Sequence, residues 1–345
     1  MQIAVLGGGS FGTAIANIVA RNGHDTWLWM RDSDQVADVV AHGENRRYLP
    51  GHLLPSNVRV TDDIAQAAGA ASIIFVVVPS SSFRAVCGVL ERLVQPGDIL
   101  ISGTKGIDPD GFKLMSQLLE ELTVSDHVGV LSGPNLAEEI ADGHYTGTVL
   151  ASRDAGVCQT IQDIMRSDTL RVYASQDVYG VELAGALKNI YAIVCGLAAG
   201  LQVGQNTIGM LITRALAEMS RFAVSLGGNP FTFLGLAGVG DLLVTCTSPL
   251  SRNYQMGLKV ASGLSMQAAA DELGKLAEGV NTLKLVHARA QELGVYMPLV
   301  DGLYQVLYEA ASVDAVASVL MERTEGADVE FADPQMWTSF PSGES

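Results

Sequence analysis

Gln2-Ile3-Ala4-Val5-Leu6-Gly7-Gly8-Gly9-Ser10-Phe11-Gly12 sets a short apolar run directly before glycines at positions 7, 9 and 12. A helical pattern, Thr13–Arg21, follows and ends at Gly23. Strand, G-x-G-x-x-G, helix is the setting in which this spacing has a mechanism. Gly7 permits the tight turn, Gly9 lets the backbone approach a pyrophosphate, and Gly12 lets the helix pack on the strand. The free N–H groups of the helix N-terminus then face the anion. An ordinary tight turn is the competing reading, and the place at the head of a β-α-β pattern favours dinucleotide binding.

The next strand, Thr26–Met30, runs into Arg31-Asp32. An acidic residue about 20 residues past the glycines reads the ribose of NAD, which makes Asp32 a candidate by counting. Arg31 stands before it at the strand end, where a guanidinium pairs with the 2′-phosphate of NADP. The two readings conflict, and the sequence favours NADP(H) with NAD(H) tolerated. Further strands read at Ile73–Val78, Ile99–Ser102, Val128–Leu131, Thr146–Ser152 and Leu170–Ala174, with helical stretches that include Phe83–Leu93, Phe112–Leu122 and Leu136–Ala141. Continuous apolar strands of this kind belong to parallel sheets covered on both faces. Their C-terminal ends, where open α/β sheets bind ligands, carry Val78-Pro79-Ser80, Thr104-Lys105-Gly106 and Ser132-Gly133-Pro134-Asn135. Lys105 is the one cation among them; its bland reading is a loop lysine.

Past the midpoint the strand signals stop at Val181-Glu-Leu-Ala-Gly-Ala-Leu-Lys-Asn-Ile190. Leu183, Leu187 and Ile190, with Tyr191 and Val194, recur at helical spacing and make one face apolar. Lys188 falls off that face and leans back over Ala184 and Gly185. The two small residues leave an open floor where an ammonium, beside Asn189, meets a small oxygen-rich ligand; the alternative is a surface lysine. Helices then read at Ile208–Ser225, Thr282–Glu292, Val300–Glu309 and Val313–Arg323. Between them Gly238–Asn253 combines flexible glycine, hydroxyls, Asp241 and Arg252-Asn253. Arginine offers a fork and asparagine a neutral donor, a pairing suited to phosphate; a capped loop between helices is the other meaning.

The fold class expected is therefore α/β: an N-terminal Rossmann-type, doubly wound, mostly parallel sheet over residues 1–178, then an all-helical domain over 179–323. Residues 324–345 form an acidic tail without periodicity, expected to be disordered. With 48% hydrophobic and 17% charged residues, the chain describes a folded globular protein. The net charge of −16 argues against nucleic acid and against anionic membranes. The apolar run Ile190–Leu201 is too short to cross a bilayer, and no export signal is visible, so the expectation is a cytoplasmic protein. Four separated cysteines suit reduced thiols, and six histidines form no metal-ligating cluster, so no metal is expected.

Taken in order, Gly7–Gly12, Thr104-Lys105-Gly106-Ile107, Ser132-Gly133-Pro134, Val181–Asn189, Ile212-Thr-Arg214-Ala-Leu-Ala-Glu218-Met219 and Gly238–Asn253 resemble one family, bacterial NAD(P)-dependent glycerol-3-phosphate dehydrogenase. The resemblance covers about residues 1–322. It implies a helical domain like that of 6-phosphogluconate dehydrogenase and an active site in the cleft between the two domains. It further implies reversible reduction of dihydroxyacetone phosphate to sn-glycerol 3-phosphate for phospholipid synthesis, and a homodimer. Lys188 matches the general acid/base, and Lys105 a position touching substrate and cofactor. Gly133, Asn135, Asn189, Asp241, Ser251, Arg252 and Asn253 match the substrate shell, with Asp241 grouped with the two catalytic lysines. Gly7, Gly9, Ser10, Phe11, Gly12, Arg31, Tyr48, Ala137, Leu276 and Glu278 match cofactor contacts, and Arg252 and Lys105 reach the cofactor as well. Departures from the family pattern are Asn135 in place of serine or threonine, Gln205 in place of aspartate, and Tyr254-Gln255 where a basic residue is common.

Reducing a ketone builds negative charge on oxygen, which a nearby ammonium stabilises and then protonates. A second ammonium, Lys105, would pull the Lys188 pKa toward neutrality. Two rivals stand beside this reading. One is a related dehydrogenase of the 3-hydroxyacid or 6-phosphogluconate type, against which Gly238–Asn253 discriminates. The other is a non-catalytic NAD(P)-binding regulator, which should lack at least one of Lys105, Lys188, Asp241 and Arg252; all are present.

Overall fold

The computed structural model describes residues 1–274 and 276–322. The acidic tail from residue 324, and the last residue of the helix read to Arg323, lie outside the described residues. Ten strands are β1 (Gln2–Leu6), β2 (Asp25–Trp29), β3 (Val58–Thr61), β4 (Ile73–Val76), β5 (Ile99–Ser102), β6 (Ile107–Asp108), β7 (Lys113–Leu114), β8 (His127–Ser132), β9 (Thr146–Ser152) and β10 (Leu170–Ser175). Eight of them make one sheet in the order β10-β9-β8-β5-β4-β1-β2-β3. Every pair in it is parallel except β8 with β9. The order reverses at β1, whose neighbours are β2 on one side and β4 on the other, so the first glycine turn opens at a topological switch point. The expected doubly wound, mostly parallel sheet is present.

Both faces of the sheet are covered, which explains the unbroken apolar strands. Ile3, Val5, Phe75 and Ile101 pack under helices Ser10–Arg21 and Ala155–Met165. Ala4, Ile74, Val76 and Leu100 pack under Ser80–Leu90 and Met115–Leu122. Two local readings need correction. β3 is not among the strands read from the sequence; at four residues on a sheet edge it has too few apolar positions to stand out. The helix read from Phe112 begins at Met115, because Gly111 and Phe112 both take positive φ and turn the chain into the β6–β7 hairpin first.

Beyond β10 every regular element among the described residues is helical. Helix Val178–Gly200 runs through the middle of this half and is buried along nearly its whole length, Lys188 and Asn189 included. The one-sided apolar face read from the sequence is therefore too narrow: Leu183, Leu187, Ile190 and Tyr191 are fully buried, but so are Ala184, Ala186 and Ile193. A helix buried all round is the core of a large domain or a membrane span. This one is long and apolar enough to cross a membrane by composition, and it is wrapped by the other helices of the fold. Glycine lets one of them come closest: a Cβ on Gly257 would lie 2.6 Å from the Leu197 nitrogen. Helix Arg252–Ala261 thus lies almost backbone to backbone on the central helix, which fixes Arg252 and Asn253 near Lys188 and Asn189.

Candidate active site

Gly7 leaves β1 with φ of +137°, a conformation that side chains disfavour. A Cβ on Gly12 would collide with the Gly7 carbonyl, so the helix sits down on the turn only because position 12 is glycine. Gly9 differs: nothing lies within 4 Å of where its Cβ would be. Gly9 also caps helix Ser10–Arg21 without a side-chain bond, leaving first-turn N–H groups to an incoming acceptor. A bare, open glycine at an uncapped helix N-terminus fits a dinucleotide pyrophosphate. This turn lines a cleft of about 1060 Å³ together with Arg31, Tyr48, Thr104, Asn135, Lys188, Asn189, Arg252 and Glu278.

The floor of the cleft is a three-residue ionic group. Lys188 Nζ donates to Asp241 Oδ1, and at 2.7 Å to Thr245 Oγ1. Lys105 Nζ donates to Asp241 Oδ2, and at 3.2 Å to the Gly133 carbonyl. One carboxylate, itself 1% exposed, therefore bridges two amines carried by different halves of the fold. Three local features allow this. Lys105 follows β5; a Cβ on Gly185 would stand 3.7 Å from the Lys105 stem, so the small residue makes room for it. Asp241 opens helix Asp241–Thr247, and Thr245, one turn later, donates at 2.6 Å to the Asp241 carbonyl while accepting from Lys188. Burial holds the Lys188 ammonium far below its usual range, at about 7; Asp241 opposes that displacement and the charge of Lys105 adds to it. Such an amine both gives and takes a proton near neutral pH.

On the wall beside Lys188, Asn253 donates to Asn189 Oδ1 at 2.9 Å and accepts from the Gly279 nitrogen at 2.9 Å. Ser251 caps helix Arg252–Ala261, and Arg252 stays exposed at the cleft rim. On the opposite wall Asn135 donates to Thr148 Oγ1 at 3.0 Å, and Thr148 donates at 3.0 Å to the Ser132 carbonyl. Asn135 Oδ1 and Ser132 Oγ are buried without a partner among the described residues. Buried acceptors in this state are satisfied by water or by a ligand.

The N-terminal model of the NAD-dependent glycerol-3-phosphate dehydrogenases matches residues 2–158, and the C-terminal model of the same family matches 177–318. This chain belongs to that family. The glycerol-3-phosphate dehydrogenase [NAD(P)+] of Azotobacter vinelandii is 54% identical over 329 residues, which is 95% of this chain and 96% of the relative. Among solved structures, the glycerol-3-phosphate dehydrogenase of Coxiella burnetii is 36% identical with a TM-score of 0.89, covering 93% of this chain and 99% of that one. The yeast enzyme, from Saccharomyces cerevisiae, is 27% identical with a TM-score of 0.81 over the same shares. Family membership makes the chain an oxidoreductase with a nicotinamide-binding fold, and both NADP(H) and NAD(H) fit the family.

Most residues singled out from the sequence line one cleft: Gly7, Gly9, Ser10, Phe11, Gly12, Arg31, Tyr48, Lys105, Asn135, Ala137, Lys188, Asn189, Ser251, Arg252, Asn253 and Glu278. Gly133 and Asp241 lie behind the lining, bonded to the lysines. Leu276 packs against the helical core and is not among the lining residues. Asp32 is engaged elsewhere, accepting from the Asp34 and Gln35 nitrogens as the cap of helix Ser33–His42. Sequence reasoning missed Thr245 and Asn45. Thr245 sits four residues after Asp241, a helical spacing that was hidden because Gly238–Asn253 reads as a flexible loop; it contains helix Asp241–Thr247 instead. Asn45 is wholly buried and donates to the Gly8 carbonyl and to Thr13 Oγ1, with no local signal to betray it.

Proposed function

We propose that the chain catalyses the reversible reduction of dihydroxyacetone phosphate to sn-glycerol 3-phosphate, feeding glycerophospholipid synthesis, with NADP(H) preferred and NAD(H) accepted. The observation that carries this reading is the pair of amines meeting on Asp241 at the end of the cofactor cleft. The nicotinamide, when bound, supplies the hydride chemistry. Lys188 is the general acid in reduction: its ammonium faces the oxygen on which charge develops, then yields a proton from Nζ. In the oxidative direction the same nitrogen, as free amine, takes that proton. Asp241 holds Lys188 in place and keeps part of it protonated, while Lys105, beside the Gly133 carbonyl, orients the substrate and lends a second positive charge. Arg252, Ser251 and Asn253 take the phosphate; Asn189 and Asn135 hold the carbon end, and Gly133 acts behind them by positioning Lys105. Burial of the floor excludes bulk water, which strengthens each of these interactions.

The division into a cofactor domain (1–178) and a helical catalytic domain (179–323) is part of this reading, as are a cytoplasmic enzyme and a homodimer. The departures at Asn135, Gln205 and Tyr254-Gln255 leave every proposed chemical role filled. Purified protein should oxidise NADPH and, less efficiently, NADH with dihydroxyacetone phosphate. It should leave 3-hydroxyisobutyrate and 6-phosphogluconate unreacted with either oxidised cofactor. Turnover of one of those acids in place of the triose phosphate would replace this reading with the related dehydrogenase. Arg252→Ala should raise the KM for the phosphorylated substrate by about 10-fold or more; an unchanged KM would move the phosphate elsewhere.

A further inference from the structure

The residue at the ribose-reading count is already occupied. One oxygen of Asp32 accepts from the first turn of helix Ser33–His42, at 3.1 Å from the Asp34 nitrogen. The other pairs with Arg47 Nη1 at 3.2 Å. Arg47 is carried by the turn Asn45–Leu49, which is bolted to the glycine-rich turn from several directions. Ser10 Oγ donates to the Tyr48 carbonyl at 2.6 Å, Asn45 donates to the Gly8 carbonyl at 3.0 Å, and Gln35 donates to the same carbonyl at 2.7 Å. The Arg47 guanidinium stands 5.3 Å from the centre of the Tyr48 ring, a cation–π distance. Arg47 and Arg31 line the same end of the cleft as Trp29 and Asp32.

We infer that Arg47 is a cofactor-specificity residue: with Arg31 it forms a two-guanidinium seat for the 2′-phosphate of NADP(H), supplied from the turn that also clamps the glycine loop. The inference rests on the cofactor reading above and deepens it. Arg47 has donors to spare, because its bond to Asp32 uses one of five N–H groups. That ion pair is exposed on both sides, so it holds the side chain at the cleft edge at little energetic cost to redirecting it. A dianionic phosphate makes a stronger acceptor for the fork than a capped carboxylate. With a 2′-hydroxyl instead, Arg47 keeps Asp32 and the cofactor gains nothing from it. The two arginines therefore separate the cofactors by charge and leave NAD(H) admissible.

The test is binding in the absence of substrate, so that turnover plays no part. Dissociation constants of the full chain for NADPH and NADH, and for adenosine 2′,5′-bisphosphate and adenosine 5′-monophosphate, are measured by titration calorimetry. Arg47→Gln should weaken NADPH and the bisphosphate by about 10-fold and shift NADH and the monophosphate by less than about twofold. Arg47→Lys, which keeps charge but loses the fork, should fall between. Arg153→Gln removes a distant surface arginine and controls for net charge. Equal weakening of phosphorylated and unphosphorylated ligands, or an unchanged NADPH constant, overturns the assignment. Absence of turnover with dihydroxyacetone phosphate would overturn the functional reading and leave this ratio to be judged by itself.

Discussion

Asp241→Asn tests the floor of the site most directly, because it removes the single negative charge shared by two amines without changing shape. Asp241 raises the Lys188 pKa against burial and against Lys105, and Lys188 ends at about 7. A unit charge about 4 Å away is worth ~4 kcal/mol at an effective dielectric near 20. That corresponds to about three pKa units at ~1.36 kcal/mol each. Relaxation and water admitted by the lost ion pair reduce this, so the expected fall is about one to two units. The sign follows from the proton's role: reduction needs the ammonium, so activity is present below the Lys188 pKa and lost above it. At neutral pH the ammonium fraction drops from about one half to between about one-tenth and one-hundredth. Reductive kcat/KM near pH 7 should then fall by about 5- to 50-fold and recover in mildly acidic buffer, while the oxidative direction loses less. Initial rates followed by nicotinamide absorbance from about pH 5 to about pH 9, in both directions, read the displacement. A limb that stays near 7 under a lowered plateau would mean that Asp241 acts only by placing the lysines, and the electrostatic argument would fail.

Lys188→Met should cut turnover by about 10²- to 10⁴-fold with NADPH binding unchanged. It should also change stability: the unfolded chain holds the Lys188 proton up to 10.5 and the folded chain only to about 7, so wild-type stability gains with rising pH across that window. Thermal melts of the Met variant should lack that component; an identical pH dependence would refute the buried, displaced amine. Glu218 behaves oppositely. It accepts from the Leu299 and Val300 nitrogens at 2.6 and 3.3 Å and from the Tyr191 hydroxyl, and burial lifts its carboxyl from 4.5 to about 8. The folded state keeps the proton that the unfolded state has lost, so stability declines between those values. Glu218→Gln should flatten the decline in melts recorded across it, and a steeper slope in the variant would contradict the assignment. Gly279→Ala places a methyl 2.8 Å from Asn253 Oδ1 and from the Asn189 backbone carbon. Denaturant titration should show a loss of about 1–3 kcal/mol, and kinetics a higher KM for substrate; full stability would mean that the two helices part without cost.

Much of the fold was legible because glycine and apolar runs have few meanings. Gly7 and Gly12 constrain backbone geometry directly, and the unbroken Ile73–Val76 has one comfortable home, between covered faces of a parallel sheet. Lys188 and Lys105 were legible as residues, but only the family resemblance, and no local pattern, brought them together as a pair. What joins them is Asp241, 53 positions from one and 136 from the other, and no local pattern carries a contact of that range. The burial of Lys188 was not legible for a related reason: its near neighbours in sequence are small, and the helices that close over it come from residues 241–247 and 252–261. Asp32 shows what counting leaves out, since the carboxylate at that count also caps the next helix and pairs with Arg47.

On the proposed role of Lys188, the charge arithmetic of the floor accounts for an acid built from distant parts. A lone buried lysine would simply lose its proton and could not serve as an acid near neutral pH. A lysine paired one to one with a buried carboxylate would hold its proton too firmly to release it. Two amines on one carboxylate leave a residual positive charge and an intermediate proton affinity, which is the condition that both directions of the reaction require. Lys105 comes from the sheet half while Lys188 and Asp241 come from the helical half, so that affinity exists only when the two halves are seated together. In a chain of net charge −16, the same residual positive charge also works against the background field that a phosphorylated ketone meets.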